Sequence, residues 1–353
     1  MSTSEYRVKR VAILGGTGFT GAEIYRLLSK HPFLKVEFVS SESKAGSPVD
    51  KHFMAFRHGK KSNALKFSKI SDLDGKYDIV FSCLPTGVLP QFINQISLHA
   101  DYIFNVSGDY RVTDLDLLQK HYPETLKHEF NGSSYYYIPE FSRIDHQVKV
   151  VNLPGCMAVA TIYTLYPLLA HDLIENRIVS DAKTGSSGGG KTTTEHHAER
   201  TNNFRPHKVH GHRHKPEIEF AFKTYFQKEI DLQFSTYSLD LPRGIMVTSY
   251  SVLKEGVSEI DVKKAFYSTY ASTPFIHYFN SNVGHNSNPM IKTVAGTNYA
   301  EVGVYIDGKN CVSISSIDNL IKGAGGQAIQ AANLYMGFPE ETGLQSELEG
   351  VWP

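Results

Sequence analysis

The stretch VAILGGTGFTGAEI, residues Val11 to Ile24, decides the fold. Four apolar residues run into a glycine-rich turn, and a helix-like segment follows. Gly15, Gly18 and Gly21 stand at three-residue intervals across that turn. Glycines so placed permit a tight bend and bring backbone N–H groups close to a pyrophosphate at a helix N-terminus. A glycine triplet alone says little, but one that follows a strand and opens a helix reads as a dinucleotide-binding turn. Working outward, "KVEFVSS", "YDIVFSCLP" and "DYIFNVSG" read as further strands, with helical segments such as Gly21 to His31 between them. Strands alternating with helices predict a parallel sheet in an α/β domain.

The end of the second strand selects the dinucleotide. An acid there holds a ribose 2′-hydroxyl, whereas hydroxyls and a cation suit a 2′-phosphate. The segment "FVSSESKAG" offers Ser40, Ser41, Ser43 and Lys44, which favour NADP, against Glu42, which opposes it unless it points away.

After Gly155 the pattern changes. "FSTYSLDLP", "GIMVTSYSVL", "YAEVGVYID" and "NCVSISSI" read as longer strands of a large mixed, mainly antiparallel sheet. The organisation expected is a nucleotide-binding domain over 1–154 and an α+β domain over 155–319. A C-terminal helix over 320–353 is expected to return to the first domain.

Two motifs in the second region carry chemistry. In "NLPGCMAVATIYTLYPLL", Cys156 follows Pro-Gly and opens a segment expected to be helical as far as Pro167. A thiol there meets the positive end of the helix dipole, which favours thiolate. Most free cysteines are small buried hydrophobes, but a thiol paired with a hydride donor is the chemistry of acyl-enzyme dehydrogenases. The second motif is "EHHAERTNNFRPHKVHGHRHKPEIEF", where six of the sixteen histidines lie between His196 and His214. His210, His212 and His214 alternate and would share one face of a strand. No acid or cysteine there has tetrahedral metal-ligand spacing, so no metal is expected. One His serving as general acid/base, among bystanders in a basic loop, is the preferred reading; a metal-storage or docking module is the rival.

Gly185, Gly190, Lys191 and Thr192 reproduce the P-loop spacing, which raises an ATPase or kinase as a remote alternative. The totals are neutral. Lys plus Arg and Asp plus Glu are 36 each in 353 residues, giving no sign of nucleic acid or an anionic membrane. Three cysteines make neither a disulfide framework nor a zinc ribbon. Val150 to Ala170 lacks charge but holds Asn152, Pro154, Gly155 and Pro167, a poor membrane span. A soluble cytoplasmic protein is expected.

Together these residues resemble the N-acetyl-gamma-glutamyl-phosphate reductase family, relatives of aspartate-semialdehyde dehydrogenase. The likeness rests on "GGTGFTGAE", "SCLPTG", "SGDYRVTD", "YIPEF", "LPGCMAVAT", "TGSSGGGK", "GHRHKPEIE", "LPRGIMVTSY" and "DNLIKGAGGQAIQAANLYMGFPEETGL". It implies an NADP-binding Rossmann domain followed by a substrate and dimerisation domain. It implies that Cys156 attacks an acyl phosphate to give a thioester, which hydride from NADPH converts to a semialdehyde. His214 is the implied acid/base, with His212 the alternative. The implied cofactor contacts are Gly15, Thr17, Gly18, Phe19, Thr20, Gly21, Ser41, Ser43 and Lys44, together with Pro85 and Asn319. Arg111 is similar to the family's phosphate-facing arginine, and Ser187, Gly188, Lys191, Arg205 and Arg213 complete the implied substrate set.

The stretch "EHHAERTNNFRPHKVHGHRH" looks more like the branch whose substrate rides on a small acidic amino-group carrier protein, in lysine or arginine biosynthesis. From Lys191 to Lys215, six Lys or Arg stand against Glu195 and Glu199, about +4, and would steer an acidic partner. The alternative is the free acetylated substrate. Met157 departs from the aromatic residue, and Lys191 from the arginine, frequent in acetyl-type members. A homodimer or homotetramer is implied.

Overall fold

The computed structural model describes residues 6–53, 65–191, 197–280 and 287–344. The chain divides into two compact units, with breaks between Pro154 and Gly155 and between Gly323 and Ala324.

The first unit is built on seven parallel strands: β1 (Lys9–Leu14), β2 (Leu34–Ser40), β3 (Phe67–Ser68), β4 (Tyr77–Ser82), β5 (Ala100–Asn105), β6 (Ser134–Tyr136) and β7 (Val150–Asn152). Their spatial order is β3-β2-β1-β4-β5-β7-β6. Val11 to Leu14 of β1 are wholly buried, which is why that strand is a continuous apolar run rather than an alternating one. The order reverses between β1 and β4, the switch point where doubly wound sheets bind ligands at the strands' carboxyl ends. The helix after β1 is Phe19–Leu28, not Gly21 to His31. Gly18 takes the extended N-cap conformation, and His31 turns inward, where its Nδ1 accepts the N–H groups of Phe33 and Leu34.

The second unit holds β8 (Arg177–Thr184), β9 (Arg205–Lys208), β10 (Asp231–Ser238), β11 (Ile245–Val252), β12 (Ile276–Phe279), β13 (Ala300–Asp307) and β14 (Asn310–Ile317), in the order β12-β13-β14-β11-β8-β10-β9. The β12–β13 and β8–β10 pairs are parallel and the other four antiparallel. This is the mixed, mainly antiparallel sheet that the residues implied.

The helix Cys156–Ala170 lies on this sheet and is buried nearly throughout. Ser315 Oγ donates to the Ala160 carbonyl at 2.7 Å, and Thr164 shares a 2.7 Å bond with Ser249, so these hydroxyls are satisfied where the helix meets the sheet. The helix does not stop at Pro167, as expected, but runs on to Ala170. A proline leaves the carbonyl four residues earlier without its helical donor, and that carbonyl, Tyr163, accepts the Tyr270 hydroxyl at 2.6 Å. At the C-terminal end, helix does not fill 320–353. A π-turn over Ile321–Gly325 leads into a helix over Gly326–Tyr335, and Gly337 at φ +70° closes it. Residues 345–353 lie outside the described ones.

Candidate active site

The first unit carries the dinucleotide turn. Gly15 adopts φ +78°, and a Cβ there would sit 2.6 Å from the Cys83 carbonyl oxygen. A Cβ at Gly21 would lie 2.5 Å from the Gly15 oxygen, so the helix starts in direct contact with the turn. Gly18 is less crowded, since a Cβ there would make an ordinary 3.4 Å contact with the Gly15 oxygen. No side chain caps the helix at Gly18, and its first turn, with Phe19 and Thr20, carries no acid. Its N–H groups and dipole therefore face an anion site. The residues fit a pyrophosphate. Ser41 is buried and shares a 3.3 Å bond with Thr17, while Ser43 and Lys44 are exposed. Glu42 is turned to the Ile70 amide, which it accepts at 2.9 Å. Its carboxylate caps a short helix, so it need not compete for a ribose hydroxyl. Pro85 is exposed at the end of β4, on the loop to the next helix.

The second unit carries Cys156. Of the three thiols, burial pushes Cys83 far up and Cys311 up to about 11. Neither is a nucleophile near neutrality. Cys156 is half-buried at the first position of a fifteen-residue helix. The amide just before it, Gly155 N–H, donates to Glu217 Oε1 at 2.7 Å, and Glu217 is fully buried. Glu217 lies on the helix His214–Tyr225, three residues after His214. Residues at that spacing share a helix face, so His214 stands one turn before the side chain that accepts the Gly155 amide.

The two histidines have different surroundings. His212 Nδ1 accepts the His214 backbone N–H at 3.1 Å, and the rings stand edge to face at 4.7 Å. Burial, then Arg213, Lys208 and His207, push the His212 imidazole down to about 3. It is neutral at physiological pH, with its proton on Nε2. His214 is buried as the first residue of its helix. His210, His212 and His214 do not share a strand face. β9 ends at Lys208, His210 is exposed, and His214 is already helical.

The glycine-rich loop is not arranged as a P-loop. Gly185 N–H donates to Gly244 O at 2.8 Å, Ser186 to Leu241 O at 2.7 Å and Ser187 to Pro242 O at 3.1 Å. Gly188 and Gly190 donate within the loop itself. A phosphate cradle needs those amides unspent. Thr192 and His196 lie outside the described residues. Asn319 ties this loop to its neighbours: its Oδ1 accepts Gly244 N–H at 2.8 Å and its Nδ2 donates to Ser187 Oγ at 2.9 Å. Beside it, buried Asp318 accepts the amides of Gly296, Leu320 and Ile321 and meets Arg243 at 3.4 Å.

Gly323 closes this side of the site. A Cβ on it would fall 2.7 Å from the Cys156 Cβ. Glu217, Asp318 and Gly323 were not singled out from sequence; only "HKPEIE" held a signal, an acid one turn after a candidate acid/base. Gly188, Lys191 and Arg213 are exposed, and Arg205 is half-buried in β9. Arg111 belongs to the first unit, is buried, and donates from Nη2 to the Val106 carbonyl at 2.8 Å.

Comparison with known proteins accords with this geometry. Residues 10–149 match a family model described as semialdehyde dehydrogenase, NAD binding domain, and residues 156–319 one described as semialdehyde dehydrogenase, dimerisation domain. The N-acetyl-gamma-glutamyl-phosphate reductase 1 of Lactiplantibacillus plantarum is 49% identical over 345 residues, covering 98% of this chain and 100% of the relative. The chain belongs to the N-acetyl-gamma-glutamyl-phosphate reductase family. It is an oxidoreductase of the semialdehyde-dehydrogenase type with a nicotinamide-dinucleotide-binding domain, and the family's reaction is reduction of an acyl phosphate to a semialdehyde. A Sulfurisphaera tokodaii reductase, named for both L-2-aminoadipate and L-glutamate phosphates carrying the prefix LysW, is 34% identical over 347 residues, covering 95% of this chain and 97% of that relative. Among solved structures, aspartate semialdehyde dehydrogenase II of Vibrio cholerae superposes with a TM-score of 0.69 at 14% identity, over 93% of this chain and 98% of that one. That likeness concerns the fold. Among the described residues no helix is long and apolar enough to cross a membrane.

Proposed function

We propose that the protein reduces free N-acetyl-γ-glutamyl phosphate to its semialdehyde with NADPH, through a thioester on Cys156. One observation carries the substrate: 49% identity along the full length of a relative bearing that name, against 34% to the LysW-named relative. The carrier-linked substrate, favoured by the basic segment, takes second place. Two of that segment's charges serve the fold: Arg200 donates to the Ser186 carbonyl at 3.0 Å, and Lys215 pairs with Glu219 at 2.5 Å.

The thiol of Cys156 attacks the acyl carbon, and phosphate leaves against the positive charge of Arg111. The Cys156 backbone N–H supports the oxyanion. His214 takes the thiol proton and later returns one to the hydroxyl that hydride addition creates; when that hydroxyl gives its proton back, the C–S bond breaks and the semialdehyde leaves the Cys156 sulfur. His212, held neutral, orients His214 by accepting its amide. Ser187, Gly188, Lys191, Arg205 and Arg213 supply the groups that bind the substrate's carboxylate and amide. When bound, a reduced nicotinamide supplies the hydride, held by the Gly15–Gly21 turn, Pro85 and Asn319. Ser41, Ser43 and Lys44 favour the 2′-phosphate of NADP(H). The face of the second sheet opposite the Cys156–Ala170 helix, with exposed Val179 and Tyr250 paired across β8 and β11, accepts a second copy of the chain. The setting is the cytoplasm.

The test is phosphate-dependent oxidation of the semialdehyde with NADP+, followed by mass spectrometry of the enzyme quenched without phosphate. An acyl adduct on the peptide holding Cys156, and its loss with activity in Cys156→Ser, are expected. Substantial turnover by Cys156→Ser would sink the thioester route.

A further inference from the structure

Arg111 sits at the end of a loop whose conformation the chain does not adopt readily. The residue before it, Tyr110, has φ +63°, a region that non-glycine residues other than Asn and Asp seldom occupy. Such a conformation persists only where the surroundings impose it, and it tends to mark functional loops.

The imposing groups are two asparagines at the carboxyl ends of neighbouring strands. Asn105 ends β5 and Asn152 ends β7, and they face each other in the parallel register. Both are wholly buried. Asn152 Nδ2 donates to the Tyr110 carbonyl at 2.9 Å. Asn105 Nδ2 donates to the Asp109 carbonyl at 2.7 Å and to Asn152 Oδ1 at 3.0 Å, which locks the two amides together. Asn105 Oδ1 accepts the Ser107 amide at 3.0 Å. The side chain of Asp109, also fully buried, accepts Gly87 N–H at 3.0 Å and the hydroxyls of Ser107 and Thr125. Consecutive carbonyls, those of Asp109 and Tyr110, are thus held by a paired amide at the carboxyl end of the sheet. The next residue is the arginine.

We propose that Asn152, locked by Asn105, is a positioning residue for phosphate recognition. It fixes the left-handed turn at Tyr110 and so sets the direction in which Arg111 leaves the sheet. Asp109 extends the device to the Pro85–Gly87 loop, so that the phosphate-facing and cofactor-facing loops share one buried support. This inference rests on the reading of Arg111 as the phosphate-facing residue given above.

The experiment measures, on the full-length protein, the KM for inorganic phosphate and for the semialdehyde, and kcat, in the NADP+-dependent oxidation. Arg111→Ala is the reference. If it leaves the phosphate KM unchanged, the reading of Arg111 fails and this inference falls with it. Given a raised phosphate KM in Arg111→Ala, Asn152→Ala is expected to raise it by about tenfold or more, a part of the roughly hundredfold that a 1 Å misplacement can cost. The semialdehyde KM should change less than threefold, on the order of the scatter between such constants. Equal losses in every parameter, or a drop in kcat alone, would overturn the proposal by showing only a structural role.

Should Asn152→Ala fail to fold, Tyr110 supplies a second route. Tyr110→Asn and Tyr110→Val both delete the ring, but only Asn tolerates φ +63°. The phosphate KM of Tyr110→Asn should stay within about threefold of the parent, and that of Tyr110→Val should rise about tenfold or more. Identical constants in the two variants would overturn the proposal.

Discussion

Replacing Gly323 by alanine perturbs Cys156 without touching its chemistry. The new methyl would lie 2.7 Å from the Cys156 Cβ, 3.2 Å from its Cα and 3.3 Å from the Asp318 oxygen. Carbon atoms rest about 3.5–4.0 Å apart, so the overlap is about 1 Å. The nearest atoms belong to a helix tied to the sheet through Ser315 and Ser249, and to a carbonyl that already accepts Gly323 N–H at 2.8 Å. Neither is a flexible side-chain end, so the strain moves the thiol. A displacement of ~1 Å at a reacting atom costs roughly a hundredfold in rate, or about 2.7 kcal/mol of barrier. Overpacking should also remove ~1–3 kcal/mol of stability. The assay compares kcat for semialdehyde oxidation, the rate of Cys156 alkylation by iodoacetamide and the thermal midpoint. A Gly323→Ala enzyme with full kcat and unchanged alkylation would refute the claim that this close approach places the nucleophile.

Three further outcomes follow from the same geometry. Glu217→Ala strands the buried Gly155 N–H, at about 1–3 kcal/mol, whereas Glu217→Gln keeps an acceptor; urea melts should separate the two variants by that margin. His212 is held down to about 3, against 6.5 for the free imidazole. The unfolded chain therefore binds the extra proton first, and stability is lost as pH falls from about 6.5 towards 3, by up to about 1.4 kcal/mol per pH unit; His212→Gln should flatten that slope. Ser41→Asp, which places a carboxylate where a 2′-phosphate is expected, should lower kcat/KM for NADP+ relative to NAD+ by about tenfold, or ~1.4 kcal/mol. An unchanged cofactor ratio would place the 2′-phosphate elsewhere.

Much of this fold is local and therefore visible in the chain. The Gly15–Gly21 turn, the apolar run of β1 and the Cys156 helix start each depend on neighbours in sequence. The groups that escaped notice act at long range. Glu217 reaches Gly155 across 62 positions and Gly323 meets Cys156 from the far end of the second unit, so neither leaves a local pattern. The same limit explains two misleading signals. The glycine spacing around Lys191 cannot reveal that the amides from Gly185 to Ser187 are already bonded to the Leu241–Gly244 turn. The charge counted from Lys191 to Lys215 cannot reveal that Arg200 and Lys215 are committed within the fold. Alternation of His210, His212 and His214 implied a strand only while the helix start at His214 was unseen. Burial, which separates His212 from His210, is likewise a property of the folded chain.

The substrate assignment is tested most directly by one comparison: kcat/KM of the purified protein for free N-acetylglutamate semialdehyde and for the same semialdehyde attached to an acidic carrier protein, each with phosphate and NADP+. The account predicts efficient turnover of the free acetylated compound and no gain from the carrier. Turnover confined to the carrier-linked compound would contradict it.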